Sequence, residues 1–250
     1  MQTVRLLGLE FADLRVEDAV GWVLDRPADH PFDFVVTPNA DHLVRLARDP
    51  ALGAIYRGAA LRLLDSRVVA RAARMIGLPD PPVVTGSDLT AMLLRQLPVG
   101  ERVTIIGLRR AWLSALIART GIVPPMHLDP PIGFDADPAA MGATVRFVLD
   151  HPARIIFLAV GSPRQERLAA AVKATARGSG LALCIGSALE FAAGAVPRAP
   201  RWIQAAGFEW LHRLGRDPRR LARRYLIEDP AVLPLLVEEQ WRRIGRTMPQ

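Results

Sequence analysis

Short apolar runs rich in β-branched residues recur along this 250-residue chain, with helical patterns between them. "FDFVV" (32–36), "ALRLL" (60–64), "RVTIIG" (102–107), "RIIFLAVG" (154–161) and "LALCIG" (181–186) read as buried strands. Apolar residues at three- and four-residue spacing predict helices over 40–49, 66–76, 87–97, 110–120, 138–150 and 164–177. "LLGLEFADL", near the start, predicts a hairpin or an edge strand. Such alternation predicts an α/β fold with a Rossmann-like, mostly parallel sheet and helices on both faces.

The pattern changes after Val196. "RAPRWIQAAGFEWLHRLG" is amphipathic and ends at Gly215. "DPRRLARRYL" restarts a helix with Asp217 as N-cap and Pro218 at the first helical position, and a last helix is expected over 234–244. No strand follows the one holding Cys184. The chain therefore divides into an α/β core, 1–196, and an arginine-rich helical appendage, 197–250.

Composition agrees with a soluble globular protein, half apolar and 23% charged. The net charge of +7 is nearly all arginine, since Lys173 is the single lysine. From Pro197 onward eleven arginines face six acids, so the appendage holds +5 of that excess. Such a tail suits phosphates, anionic lipid or nucleic acid. Cys184 is alone, which excludes an intramolecular disulfide, and its run reads as core strand. The first residues lack a signal-peptide pattern, and the apolar stretch 181–196 is short and broken by Glu190. A cytoplasmic protein is expected, with the appendage on the inner membrane face.

In parallel sheets, ligands bind beyond the carboxyl ends of the strands. Thr37-Pro38-Asn39, Asp65-Ser66, Gly107, the Gly161–Glu166 loop and Gly186-Ser187 each directly follow an apolar run. Asp65 reads either as the N-cap of the next helix or as a general base, and the two are compatible. Asn39 reads as a cap or, with Thr37, as a partner for sugar hydroxyls or an acetamido group. His42, one turn on, rivals Asp65 as a base or is a surface histidine. The loop with Gly161, Ser162 and Gln165 begins a helix at Pro163, and its backbone favours an anion, without a Walker or dinucleotide fingerprint.

Asp135 and Asp137 form a D-x-D in "FDADP", which reads as a weak divalent-metal motif or as a helix start at Asp137-Pro138. No strong motif calls for a metal or other cofactor. Arg219, Arg220, Arg223 and Arg224 form two adjacent helical stripes. With only Asp217, Glu228 and Asp229 near in sequence, that face is expected to lack counter-charges and to bind diphosphate or lipid headgroups. A basic nucleic-acid binder is the competing reading of the charge, but no binding motif accompanies it.

These residues together resemble the WecG/TagA/CpsF family of bacterial glycosyltransferases, glycosyltransferase family 26. The resemblance spans roughly Val4 to Leu226. It rests on "TPNADH" (37–42), "LLDS" (63–66), "TGSDL" (85–89), "PPIGF" (130–134), "VGSPRQE" (160–166), "EFAAG" (190–194) and the block 198–226. It implies an inverting hexosyltransferase that uses a UDP-sugar and a polyprenyl-diphosphate-linked acceptor in cell-surface polysaccharide or exopolysaccharide synthesis.

The resemblance makes Asp65 the base that deprotonates the acceptor, and Thr37, Asn39 and Gln165 residues of the sugar site. Arg213, Arg220 and Arg223 would close over the diphosphate. Ser66 and Leu108 stand where the family commonly has glycine, Val83 where it often has arginine, and Leu168 near a usual tryptophan. Those departures also admit a non-catalytic scaffold of polysaccharide assembly. Trp202, Trp210 and Trp241 read as membrane-interface residues or as core. The sequence leaves the sugar and the oligomeric state open.

Overall fold

The structure, a computed structural model, describes residues 1–200, 202–203 and 207–247, except for the side chains at 213, 220, 246 and 247. Six strands form one all-parallel sheet: β3 (Asp33–Val36), β4 (Leu61–Arg62), β5 (Val103–Gly107), β6 (Met126–Leu128), β7 (Ile155–Ala159) and β8 (Leu181–Cys184). Their spatial order is β4-β3-β8-β7-β5-β6. The expected hairpin is β1 (Thr3–Leu6) and β2 (Leu9–Ala12), a separate antiparallel pair. Leu7 and Gly8 join them, both with positive φ (48° and 75°), the conformation a two-residue hairpin turn requires.

Successive strand residues face opposite layers. Phe34, Val36, Ile156, Leu158, Ala182 and Cys184 pack on one side with α2 (Ala40–Arg48), α3 (Pro50–Arg57), α4 (Arg67–Met75) and α8 (Arg164–Ala174). Val35, Leu63, Ile105, Phe157 and Leu183 pack on the other with α1 (Val16–Leu24), α5 (Gly86–Gln96), α6 (Arg110–Thr120) and α9 (Ala188–Ala192). Burial on both faces is why these strands read as continuous apolar runs. Each fully buried large side chain contributes about 1.5–3 kcal/mol.

Several elements differ from expectation. The helix expected over 40–49 is α2, and an unpredicted helix follows it: Asp49 accepts the N–H of Leu52 at 3.0 Å and caps α3, with Pro50 in its first turn. β4 is shorter than the run 60–64, because beyond Arg62 its ladder continues only as Leu63 and Asp65 donating to Val36 and Pro38. β6 adds an edge strand that was not among the expected apolar runs. Leu108 adopts φ 61° and is nevertheless 4% exposed, so the backbone there has the left-handed form that favours glycine while the side chain fills the core.

α7 (Pro138–Asp150) links the β6 edge to β7. The C-terminal part comprises α10 (Glu209–Arg216), α11 (Pro218–Arg223), a π turn (Arg224–Glu228), a 3-10 turn (Asp229–Ala231) and α12 (Val232–Thr247). α12 starts two residues before the expected Pro234, and its Val232 and Leu236 join the same core cluster as α2 and α4.

Candidate active site

The register aligns Val36 with Cys184 and Cys184 with Leu158, so three strands end at one level. Beyond that edge lies a cavity of about 750 Å³ lined by Thr37, Asn39, Asp65, Gly161, Ser162 and Gln165. The six come from three separate loops of the sequence reading, and parallel pairing brings them together. Arg213 and Arg220 have side chains outside the described residues. Arg223 does not line the cavity; its side chain is 82% exposed and pairs with Glu228 at 3.0 Å.

Most of these side chains are held by the fold. Thr37 donates to the Cys184 carbonyl at 3.3 Å and is 7% exposed. Asn39 caps α2, its Oδ1 accepting the His42 N–H at 3.3 Å. That leaves its amide nitrogen for a ligand. Gln165 is 2% exposed, and its Oε1 accepts the Gly186 N–H at 3.0 Å. Pro163, at the N-cap rather than the first helical position, precedes α8 through a cis Ser162–Pro163 peptide.

Asp65 is not the cap of α4. Ser66 is, its Oγ accepting the Val69 N–H at 3.2 Å. Asp65 Oδ2 instead accepts the Gly86 N–H at 3.1 Å, at the first residue of α5. Of the two readings of Asp65, the structural one therefore falls to its neighbour. Ser66, which departs from the family pattern, supplies that cap.

His42 also lines the cavity, but Asn39 N–H donates to its Nδ1 at 3.3 Å. Burial first, then the Arg45 and Arg224 cations, hold its imidazole well below the usual histidine range. A neutral ring whose Nδ1 is already an acceptor carries its proton on Nε2, which makes it a poor base.

The arginines are partnered more than the sequence implied. The π turn widens the helix by one residue per hydrogen bond and brings Glu228 to Arg223. Arg224 lies 3.8 Å from Asp41 and 3.7 Å from Asp229, and Arg45 pairs with Asp41 at 2.8 Å. Arg45, Arg164, Arg216 and Arg224 are the cations on the cavity wall. Arg164 sits in the most conspicuous loop of the sequence, yet its role was not read there. Arg45, four residues after Asp41 on α2, gave only an ordinary helical pair as signal.

The D-x-D carboxylates have structural work. Asp137 caps α7 by accepting the Ala139 N–H at 2.9 Å, and Asp135 pairs with Arg167 at 3.2 Å. Among the described residues no group of three acids, histidines or cysteines is placed to hold a metal.

A second cavity of about 450 Å³ adjoins the first, with apolar walls from Val68, Trp210, Tyr225, Val232 and Leu233. Asn39, Asp65, Ser87 and Arg224 border both cavities. Asp65 thus stands where a polar chamber, with Arg45, Arg164, Arg216 and Arg224 set among Asp41, Asp65, Glu190 and Asp217, meets an apolar one. Arg198 ties the appendage to this region through Asp88 at 2.8 Å and Glu209 at 3.5 Å.

A family model described as the glycosyl transferase WecG/TagA/CpsF family matches residues 4–246, nearly the whole chain.

Proposed function

The chain belongs to the WecG/TagA/CpsF glycosyltransferase family, and from that premise we propose that it transfers a hexose or N-acetylhexosamine-type sugar, with inversion, from a UDP-sugar to a polyprenyl-diphosphate-linked acceptor. The observation that carries the reading is the place of Asp65, a carboxylate not needed as a cap on the border of two chemically different cavities. The arginines of the polar chamber suit a diphosphate, whose oxygens match their planar fork. The apolar chamber suits an acceptor that brings hydrocarbon with it.

The reaction is a single displacement. An acceptor hydroxyl gives its proton to Asp65 as its oxygen bonds to the anomeric carbon. The bond from that carbon to the UDP oxygen breaks, and UDP departs with the electron pair. Arg164, Arg216 and Arg224 stabilise the charge that grows on the leaving group. Arg213, Arg220 and Arg223, which the resemblance names, join them in this proposal as the appendage closes. Thr37, Asn39 and Gln165 orient the sugar. No step requires a metal.

The enzyme works peripherally on the inner face of the cell membrane. No helix of the described residues is long and apolar enough to cross a membrane. The appendage instead exposes Trp202 (72%) and Trp241 (70%), whereas Trp210 is half-buried against Tyr225.

The test is UDP release from a panel of UDP-sugars, with and without a short polyprenyl-diphosphate saccharide. Acceptor-dependent release from one donor, largely lost in Asp65→Ala, is expected. Acceptor-dependent release that the variant keeps would move the base elsewhere, and no release with any donor would favour the non-catalytic scaffold.

A further inference from the structure

Behind the cavity wall runs a buried polar chain to which the transfer reaction assigns nothing beyond Gln165. Gln165, Glu166 and Tyr56 are 2%, 1% and 0% exposed. Gly186 N–H donates to Gln165 Oε1 at 3.0 Å, and Gln165 Nε2 donates to Glu166 Oε1 at 2.9 Å. Tyr56 O–H donates to that same oxygen at 3.0 Å. Glu166 Oε2 is buried with no hydrogen-bond partner among the described residues.

No cation pairs with Glu166 among the described residues. A buried carboxylate without one is expensive to ionise, whereas a protonated carboxyl still offers Oε1 as an acceptor. Burial accordingly pushes the Glu166 carboxyl up, and the Tyr56 hydroxyl and Cys184 thiol with it. The patch is a buried hydrogen-bonded network behind the cavity wall.

This network determines the orientation of Gln165. A flipped amide would aim an N–H₂ group at the Gly186 N–H, donor against donor, and its oxygen at the Glu166 oxygen. Unflipped, the Gln165 oxygen and one N–H are both engaged, and one N–H remains on a residue that lines the cavity. We propose that Glu166 is a positioning residue, which through Gln165 sets the donor offered to the bound sugar and holds the Gly186 turn in place. It touches no substrate itself. The transfer reading bears only on the activity arm of the test.

In isotope-labelled protein, the Gln165 side-chain amide and the Gly186 backbone amide should exchange slowly with deuterium oxide. Glu166→Gln keeps an acceptor oxygen for both donors and should keep both rates within about threefold. Glu166→Met fills the space without an acceptor and should speed both by about tenfold or more, with β8 amides unchanged. Slow exchange at both positions in the methionine variant overturns the proposal. If that variant loses protection in β8 as well, Gln165→Ala decides, since it must release Gly186 alone; protection retained at Gly186 overturns the proposal.

In the activity arm, Gln165→Ala and the Gln165→Ala, Glu166→Met double variant should lose the same factor in kcat/KM for the donor, because both act through one amide. Losses that multiply would show an independent structural role and overturn the proposal. Absence of transfer in the wild type would sink the transfer reading and leave the exchange arm to judge Glu166.

Discussion

Asp65 Oδ2 accepts the backbone N–H of Gly86 at 3.1 Å, which ties the carboxylate at the end of β4 to the first residue of α5. One oxygen is thereby fixed, and the carboxylate is aimed from the sheet edge toward the border of the two cavities. Capping of α4 lies one residue on, at Ser66. On the proposed reading, chemistry falls to Asp65 and the cap of α4 to its neighbour.

Asp65→Asn should lower acceptor-dependent transfer by about 10²–10⁴-fold, the range for loss of a general base. Ser66→Ala should instead cost about 1 kcal/mol of stability, the loss of one cap, with transfer retained. Initial rates of UDP release and thermal melting separate the two. Equal damage to rate and melting in both variants would undo the division.

Arg164 and Arg216 line the polar cavity, and no ion pair among the described residues engages either. Arg45 and Arg224, by contrast, share Asp41. Each of Arg164→Ala and Arg216→Ala should therefore weaken UDP binding by about tenfold, the worth of one charge-assisted contact. The deficit should shrink as salt is raised, because screening already weakens the wild type. Calorimetric titration with UDP at low and high salt checks this, and unchanged affinity in both variants would place the diphosphate elsewhere.

His42 contributes to stability on the acid side. Its folded-state pKa lies well below 6.5, because burial, then Arg45 and Arg224, oppose its charge. Below pH 6.5 or so the unfolded chain therefore binds a proton that the native state refuses. The contribution of His42 is fully present above that pH and is lost as pH falls. Nitrogen-15 imidazole shifts at pH 6 should show a neutral ring with the proton on Nε2, and His42→Gln should melt with less dependence on pH between 5 and 7. A charged imidazole at pH 6 would restore His42 as a rival base.

Asp229 acts in the opposite direction. Burial raises its pKa from 3.8 to about 6, and nearby Arg224 offsets this only in part. Asp229 Oδ1 and Arg224 Nε, 3.7 Å apart, are both buried without a hydrogen bond. Between the two pKa values the native state binds more protons than the unfolded one, so stability falls as pH rises through that window. The penalty is complete above about pH 6, on the order of 1 kcal/mol once solvent screening is allowed for. Asp229→Asn should thus raise the melting temperature at pH 8 but not at pH 4. A gain of equal size at both would assign the effect to something other than this proton.

Much of the site was legible because strand ends are legible. Thr37, Asn39, Asp65 and Gln165 each follow an apolar run, and a parallel sheet puts all such positions on one edge. The cap of α4, one of the two readings of Asp65, falls one residue later, because Asp65 and Ser66 have nearly equal N-cap propensity and only backbone geometry chooses between them. α3 was hidden because Asp49-Pro50 ends one helix and begins another. The Tyr56–Glu166 contact joins residues 110 apart, and the Arg224–Asp41 pair joins the appendage to α2. Local periodicity carries no signal for either, because both exist only once the layers pack.

α12 presents two faces. Val232 and Leu236 are 1% exposed against the core, while Leu233, Val237, Trp241 and Ile244, at helical spacing, are 45–70% exposed. Leu226 and Ile227 of the π turn add 61% and 68% exposed side chains, and Arg216, Arg219 and Arg223 lie along the same appendage. Apolar residues at helical spacing alongside arginines match an interfacial helix, which combines hydrocarbon burial with attraction to anionic headgroups. Trp241→Glu together with Ile244→Glu should reduce co-sedimentation with phosphatidylglycerol vesicles by about tenfold or more, while UDP binding stays near wild type. High salt should weaken wild-type binding without abolishing it, because the apolar share is not screened. Binding that vanishes with salt but survives the double substitution would make the contact purely electrostatic, and α12 would then have another partner.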